Sequence, residues 1–255
     1  MDKRNDRPLL SIITVTFNCE DCLEPTIESV VSQSFRDVEY LIIDGGSKDR
    51  TLEIATKFCG KGLDDLVSEP DSGIYDAMNK GVKRAQGQWV LFLNAGDFFV
   101  TEQVIERIFS RKIPSDTEVL YGNHILLYGD GRERLIKAGR AKDLWKGSQF
   151  CHQSAFVRRE LLVENMFSLE RRLAADYEFF HNAWIGGAKF HFIDDVVVKY
   201  QKGGVSDVNR VEVINEWRDI AGPKYFFWFN ILLLRARAVI VVKKLFAQIG
   251  VVRWQ

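Results

Sequence analysis

The chain has 255 residues, of which 46% are hydrophobic and 27% charged, with 35 basic and 35 acidic side chains in balance. This length suits one large α/β domain or two small ones, and the composition excludes a disordered or fibrous chain. A net charge of zero gives no sign of a nucleic-acid partner.

Met1 to Pro8 is charged and has no apolar centre, so no signal peptide is expected there. Leu9 to Thr16 is a short β-branched run between Pro8 and Asn18 and predicts a buried strand. Cys19 and Cys22 have the spacing of half a zinc site, but Cys59 and Cys151 supply no second pair, so free thiols are expected. Leu23 to Gln33 has helical spacing with Pro25 in the first turn. Val38 to Ile43 predicts a second strand, ending in the loop Asp44-Gly45-Gly46-Ser47. Asp49 is placed to cap a helix running to Phe58.

Leu66 and Val67 predict a third short strand, Ile74 to Ala85 a helix, and Gln88 to Leu93 a fourth strand. Strands alternating with helices at this pitch predict a parallel, Rossmann-like sheet with right-handed crossovers. Ligands of such sheets bind beyond the carboxyl ends of the strands, which gathers Thr16 to Asn18, Asp44 to Ser47 and Asn94 to Asp97 around one crevice. After Val100 the pattern changes. Val119 to Tyr128 and Arg134 to Ala138 flank Gly129-Asp130-Gly131, a hairpin signal. Asp176 to Trp184 reads as a helix and Phe190 to Tyr200 as extended, so the second half is expected to be mixed.

Residues 221–255 form a basic tail: Lys224, Arg235, Arg237, Lys243, Lys244 and Arg253 stand there without one acid, against 29 basic and 35 acidic residues before them. Tyr225 to Val242 is apolar but interrupted by Asn230, Arg235 and Arg237. The expectation is an amphipathic helix lying in the plane of an anionic membrane surface. The alternatives are packing on the body or in a homodimer interface.

Several polar clusters point to chemistry. Asp97 can give a divalent metal a carboxylate oxygen and Asn94 a carbonyl or a hydrogen bond; both also suit a plain turn. Asp44 can accept from a nucleotide or close a turn. Asp71 and Ser72 can cap the following helix, and Asp76 and Lys80 can pair at i and i+4; alternatively Asp71 and Lys80 face a donor pocket. Asp176 opens a helix, which favours its charged form.

Taken together, the motifs resemble family 2 glycosyltransferases with the GT-A fold. They are Ser11-Ile-Ile-Thr-Val-Thr-Phe-Asn18, Ile43-Asp-Gly-Gly-Ser-Lys-Asp-Arg-Thr51, Glu69 to Gly81, Phe92-Leu-Asn-Ala-Gly-Asp97, Phe150-Cys-His-Gln153, Ala175-Asp-Tyr-Glu178 and Tyr200-Gln-Lys-Gly-Gly-Val-Ser206. They cover roughly residues 9–210 in the family's order, and the likeness is strongest to bacterial enzymes of capsule, colanic-acid and O-antigen assembly. The resemblance implies a GT-A domain over residues 1–220, ahead of the tail at 221–255. It implies inverting, single-displacement transfer from a nucleotide-sugar donor to a glycan or lipid-linked acceptor, in the cytoplasm and peripheral on the inner face of the cell membrane. Thr14, Thr16, Asn18, Asp44, Asp71, Lys80 and Asn94 map to the donor site, Asp176 to the catalytic base, and His152 and Gln153 to an acceptor-side or accessory role. Mg²⁺ or Mn²⁺ is the implied cofactor. The family's Asp-x-Asp reads Asn94 and Gly96 here, which moves the metal expectation to Asp97. The Glu before the base is Ala175. Two rival readings are a non-catalytic GT-A binding module and a nucleotidyltransferase on a similar sheet; the latter would want a Gly-rich basic loop after the first strand, which this sequence lacks.

Overall fold

The computed structural model describes residues 7–248. Its elements in order are β1 (Leu10–Thr16), α1 (Leu23–Val31), β2 (Val38–Asp44), α2 (Thr51–Thr56), β3 (Asp65–Ser68), α3 (Ile74–Arg84), β4 (Trp89–Phe92), β5 (Phe98–Phe99), α4 (Val104–Phe109), β6 (Val119–Leu127) and β7 (Glu133–Ile136). There follow β8 (Ala155–Arg158), α5 (Arg159–Glu164), α6 (Ala175–Ile185), β9 (Phe190–Gln201), α7 (Val205–Val208), α8 (Arg210–Ala221) and α9 (Phe226–Gln248). The Met1 to Asp6 part of the expected leaderless start, and Arg253 of the basic tail, lie outside the described residues.

One sheet carries the molecule, in the order β3-β2-β1-β4-β8-β6-β9-β5, with β7 hairpinned onto β6. The first four strands are parallel, in the register Thr16↔Asp44 and Asp44↔Ser68. β8 turns the direction, pairing antiparallel with β4 and β6. The β-branched run of β1 is buried along its whole length, as a central parallel strand covered on both faces must be. Two cores flank the sheet. One packs α3, α6, α8 and the start of α9 through Met78, Tyr177, Trp217 and Phe229. The other packs α1 and α4 through Leu23, Ile27, Ile105 and Ile108. Because β1, β2 and β4 run the same way, Thr16, Asp44 and Asn94 end at one edge, as the crevice expectation required.

Helix α2 stops at Thr56, short of Phe58, where Phe58 N turns back to Ala55 O at 3.0 Å. The N-cap of α2 is Arg50, without a side-chain cap bond, and the expected cap Asp49 stands one residue earlier, its Oδ1 accepting from Thr51 N at 3.0 Å.

The C-terminal helix differs from the two-faced helix expected. Phe229 and Leu233 are buried in the core, and Trp228 Nε1 donates to Lys146 O at 3.1 Å. From Arg237 to Val242 every residue is exposed, so this stretch projects from the body, apolar after Arg237. Pro223–Val242 is 20 residues with a mean hydropathy of 1.7, long and apolar enough to cross a membrane by length and composition.

Candidate active site

Several donor-site expectations fall on residues that hold the crevice rather than line it. Thr14 is fully buried, its hydroxyl 3.0 Å from Tyr40 OH. Asp44 is also fully buried. Its Oδ2 accepts from Gly46 N (3.0 Å), Ser47 N (2.9 Å) and Ser68 Oγ (2.6 Å), and its Oδ1 from Ser47 Oγ. These bonds shape the loop, and Oδ1, with its single donor, is the less engaged oxygen. Asn18 stands in the left-handed region at φ 48°. Its N–H donates to Ser47 Oγ at 2.8 Å and its Oδ1 accepts from Lys48 N at 2.9 Å, stitching the loop after β1 to the loop after β2. Thr16 is buried, and its hydroxyl has no partner among the described residues.

Lys80 takes the surface pairing. Its Nζ donates to Pro70 O at 2.8 Å and lies 3.1 Å from Glu69 and 3.7 Å from Asp76. Asp71 keeps a place at the crevice mouth: its Oδ1 accepts from Gly73 N at 2.8 Å, and its Oδ2 leans over Gly45. A Cβ on Gly45 would run into that oxygen and would stand 3.3 Å from the exposed ring of Phe17.

The loop after β4 is built around Asp97. This residue is 5% exposed. Its Oδ1 accepts from Gln201 N at 2.8 Å and its Oδ2 from Gln153 Nε2, so it clamps the loop to the end of β9 and to the turn at His152–Ser154. Burial pushes its carboxyl up to about 6, against the opposing Gln201 N–H, His152 and Gln153. A hard divalent cation needs open carboxylate oxygens. Each oxygen of Asp97 accepts one hydrogen bond and keeps a second lone pair. Asp97 acts here as a clamp, and the lone pair left on each oxygen still suits the expected metal.

Asp176, His152 and Asn94 do come together. Asp176 lies in the first turn of α6 with its side chain 23% exposed. His152 Nδ1 is 3.1 Å from Asp176 Oδ2, and His152 Nε2 is 3.3 Å from Asn94 Nδ2. Tyr75 OH donates to Asp176 Oδ1 at 3.0 Å. Burial works to raise the Asp176 carboxyl, but His152, the Tyr177 N–H and the Tyr75 hydroxyl outweigh it and hold the group below the usual carboxylate range. Asn94 Oδ1 is buried with no hydrogen-bond partner among the described residues. The network thus runs from Tyr75 through Asp176 and His152 to Asn94: an ionised carboxylate at one end, amide groups at the other.

Sequence reasoning missed Tyr75, Ser68 and Gln201. Tyr75 follows a loop at the second position of α3, and nothing in its spacing separates it from a core aromatic. Gln201 acts through its backbone, which carries no sequence signal.

Residues 11–164 match the family model described as Glycosyl transferase family 2. A PGL/p-HBAD biosynthesis glycosyltransferase of Mycobacterium bovis (strain BCG / Pasteur 1173P2) is 33% identical over 211 residues, 78% of this chain and 80% of that protein. An uncharacterized glycosyltransferase of Haemophilus influenzae is 28% identical over 179 residues, 68% of this chain and 70% of its own. Among solved structures, S. aureus TarS 1-349 in complex with UDP-GlcNAc superposes with a TM-score of 0.64 at 20% identity, over 82% of this chain and 65% of that one. The mannosyltransferase PcManGT from Pyrobaculum calidifontis, in complex with GDP-Man and Mn²⁺, gives 0.63 at 16%, over 82% and 61%. The chain spans 38% of the longer TarS chain. These structural likenesses establish the GT-A fold.

Proposed function

The chain belongs to glycosyltransferase family 2, and from that premise we propose that it transfers a sugar, with inversion, from a nucleoside diphosphate donor to a glycan or lipid-linked acceptor in bacterial surface polysaccharide synthesis. The observation that carries this reading is the Asp176–His152–Asn94 chain, which joins a carboxylate on α6 to the loop after β4. The solved relatives of this fold hold UDP-GlcNAc or GDP-Man, which supports a donor of that class. The PGL/p-HBAD biosynthesis relative supports a biosynthetic transfer.

The acceptor hydroxyl gives its proton to Asp176 as its oxygen attacks the anomeric carbon, and the bond from that carbon to the diphosphate oxygen breaks on the opposite face. Tyr75 and His152 hold the carboxylate so that it meets the hydroxyl in one orientation. The nucleotide lies across the mouth formed by Phe17, Gly45 and Asp71, and Asn94 Oδ1 accepts from the donor sugar. Asp97 would hold Mg²⁺ or Mn²⁺ through the lone pair left on each oxygen, and the ion would offset the charge that builds on the leaving diphosphate. Helix α9 keeps the enzyme at the anionic cytoplasmic face of the membrane, with Lys224, Arg235 and Arg237 near its apolar surface.

The test is a panel of nucleotide-sugars scored for release of nucleoside diphosphate, with product anomers read by NMR. Turnover of one donor with inversion is expected, and Asp176→Asn should abolish turnover while donor binding persists. Retained turnover in that variant would sink the base assignment. A protein that binds donors and turns over none would be the non-catalytic module instead.

A further inference from the structure

The segment Cys19-Glu20-Asp21-Cys22 takes no part in the transfer chemistry, and the fold gives it a geometry of its own. Cys22 N donates to Cys19 O at 3.1 Å. A turn closed in this way keeps its end Cα atoms within about 7 Å, and disulfides span roughly 4.4–6.8 Å between Cα atoms. The turn is fixed on both sides: Cys19 N donates to Thr51 Oγ1 at 2.8 Å, and α1 starts at the residue after Cys22. Both thiols are free and half-buried.

The pair is also electronically uneven. Contact with the Cys22 thiol outweighs burial and lowers Cys19 to about 6, while the same contact and burial drive Cys22 upward. A thiolate is the nucleophile in thiol–disulfide exchange, and its neighbouring thiol is the resolving group. The other two cysteines lack this arrangement. Cys59 is exposed and is not part of such a pair, and burial pushes the Cys151 thiol up.

We propose that Cys19 and Cys22 form a reactive dithiol which small-molecule disulfides oxidise reversibly to an intramolecular disulfide. The Cys19 thiolate attacks one sulfur of the oxidant, forming a mixed disulfide and releasing one thiolate. Cys22 then loses its proton and attacks the Cys19 sulfur, releasing the second thiolate. Two protein thiols are oxidised by two electrons and one disulfide is reduced to two thiols. The site touches the loop after β4: Cys22 Sγ lies 3.7 Å from the position of a Cβ on Gly96, and Gly96 N donates to Thr26 Oγ1 of α1 at 2.9 Å. The proposal stands apart from the transferase reading and does not need it.

The experiment uses the full chain carrying Cys59→Ser, reduced and then exposed to oxidised glutathione at pH 7, acid-quenched, alkylated and mapped by mass spectrometry. The expected result is loss of two alkylatable thiols, a peptide linking Cys19 to Cys22, and reversal by dithiothreitol. Adding Cys22→Ser should trap glutathione on Cys19, at least about tenfold more than Cys19→Ser traps on Cys22. Cys19 and Cys22 remaining alkylatable in the protein that has both would overturn the proposal. So would glutathione capture of equal extent in the two variants that keep only one of Cys19 and Cys22. Circular dichroism of each variant guards against misreading an unfolded chain.

Discussion

His152 Nδ1 stands 3.1 Å from Asp176 Oδ2 while the opposite ring nitrogen faces Asn94 Nδ2 at 3.3 Å, so one imidazole ties the carboxylate to the loop after β4. With Asp176 ionised, Nδ1 carries the proton and Nε2 receives the Asn94 amide hydrogen. An asparagine at 152 can offer an amide N–H near the place of Nδ1; a glutamine reaches instead toward the place of Nε2. His152→Ala should therefore lower kcat by roughly 10- to 100-fold, less than the ~10²–10⁴ of losing a base outright, with little change in donor KM. His152→Asn should recover much of the loss and His152→Gln little. Steady-state kinetics decide, and equal losses in all three variants would count against a positioning role.

Tyr75→Phe removes one donor from Asp176 and leaves the ring in its packing against Phe167, with centroids 5.9 Å apart. The carboxyl is held low in the folded state despite burial. Such a group adds stability above its unfolded pKa and loses it as pH falls through the folded one. Losing the Tyr75 donor raises the folded pKa. The acid limb of kcat/KM should move to higher pH, and stability at neutral pH should drop by about 1 kcal/mol. A pH–rate profile with urea unfolding checks both.

Asp97 has the opposite sign. Burial raises its folded carboxyl from 3.8 to about 6, so the folded chain holds this proton more tightly than the unfolded one. The contribution is complete below the unfolded value and is lost as pH rises through about 6, an effect of about 3 kcal/mol. Asp97→Asn cannot titrate. The melting temperature of wild type relative to this variant should fall between pH 4 and pH 7, and a constant gap would contradict the buried clamp.

The parallel half of the fold was legible because period and composition report burial: β1 to β4 were readable as short apolar runs with loops between. The crevice followed from strand direction alone. The roles of its residues were only partly legible, since Asp44 and Asp97 look in sequence like ligands and in space also accept from Ser47, Ser68, Gln153 and the Gln201 backbone. Which lone pairs remain free depends on tertiary partners 24 to 104 residues away. The base network was half visible: Asp176, His152 and Asn94 were singled out, but their mutual contact and Tyr75 needed the fold. Helix α9 was read as two-faced because its arginines interrupt the apolar run, whereas Phe229 and Leu233 use only its first half for packing.

Gly45 and Asp71 should behave as a coupled pair. An added Cβ at Gly45 meets the movable end of Asp71 and the Phe17 ring at 3.3 Å. Gly45→Ala should cost little stability, since a side-chain end can give way, but it displaces the carboxylate from the crevice mouth. Donor affinity should fall several-fold in Gly45→Ala and in Asp71→Ala, and the double variant should fall no further. Calorimetric titration with a nucleoside diphosphate measures the cycle, in which contacting residues typically couple by about 0.5–3 kcal/mol. Strict additivity would remove Asp71 from the donor site.

Helix α9 offers a separation of packing from membrane contact that deletion cannot give. Phe229 is fully buried and Leu233 5% exposed, so removing the helix opens the core; truncating Phe229 alone to alanine should cost about 3–5 kcal/mol. Leu234 and Val241 are 67% and 55% exposed and leave the core untouched. Glutamate at both positions puts charge into the apolar surface and against the negative potential of anionic lipid. The double variant should melt within a few degrees of wild type and release diphosphate from donor at the wild-type rate. It should also no longer co-sediment with vesicles containing phosphatidylglycerol. Wild type should bind those vesicles and lose them as salt rises, because Lys224, Arg235 and Arg237 contribute through screened attraction. If wild type and variant sediment alike, the projecting half of α9 has another partner, and a concentration-dependent mass in the same buffer would identify it as a second copy of the chain.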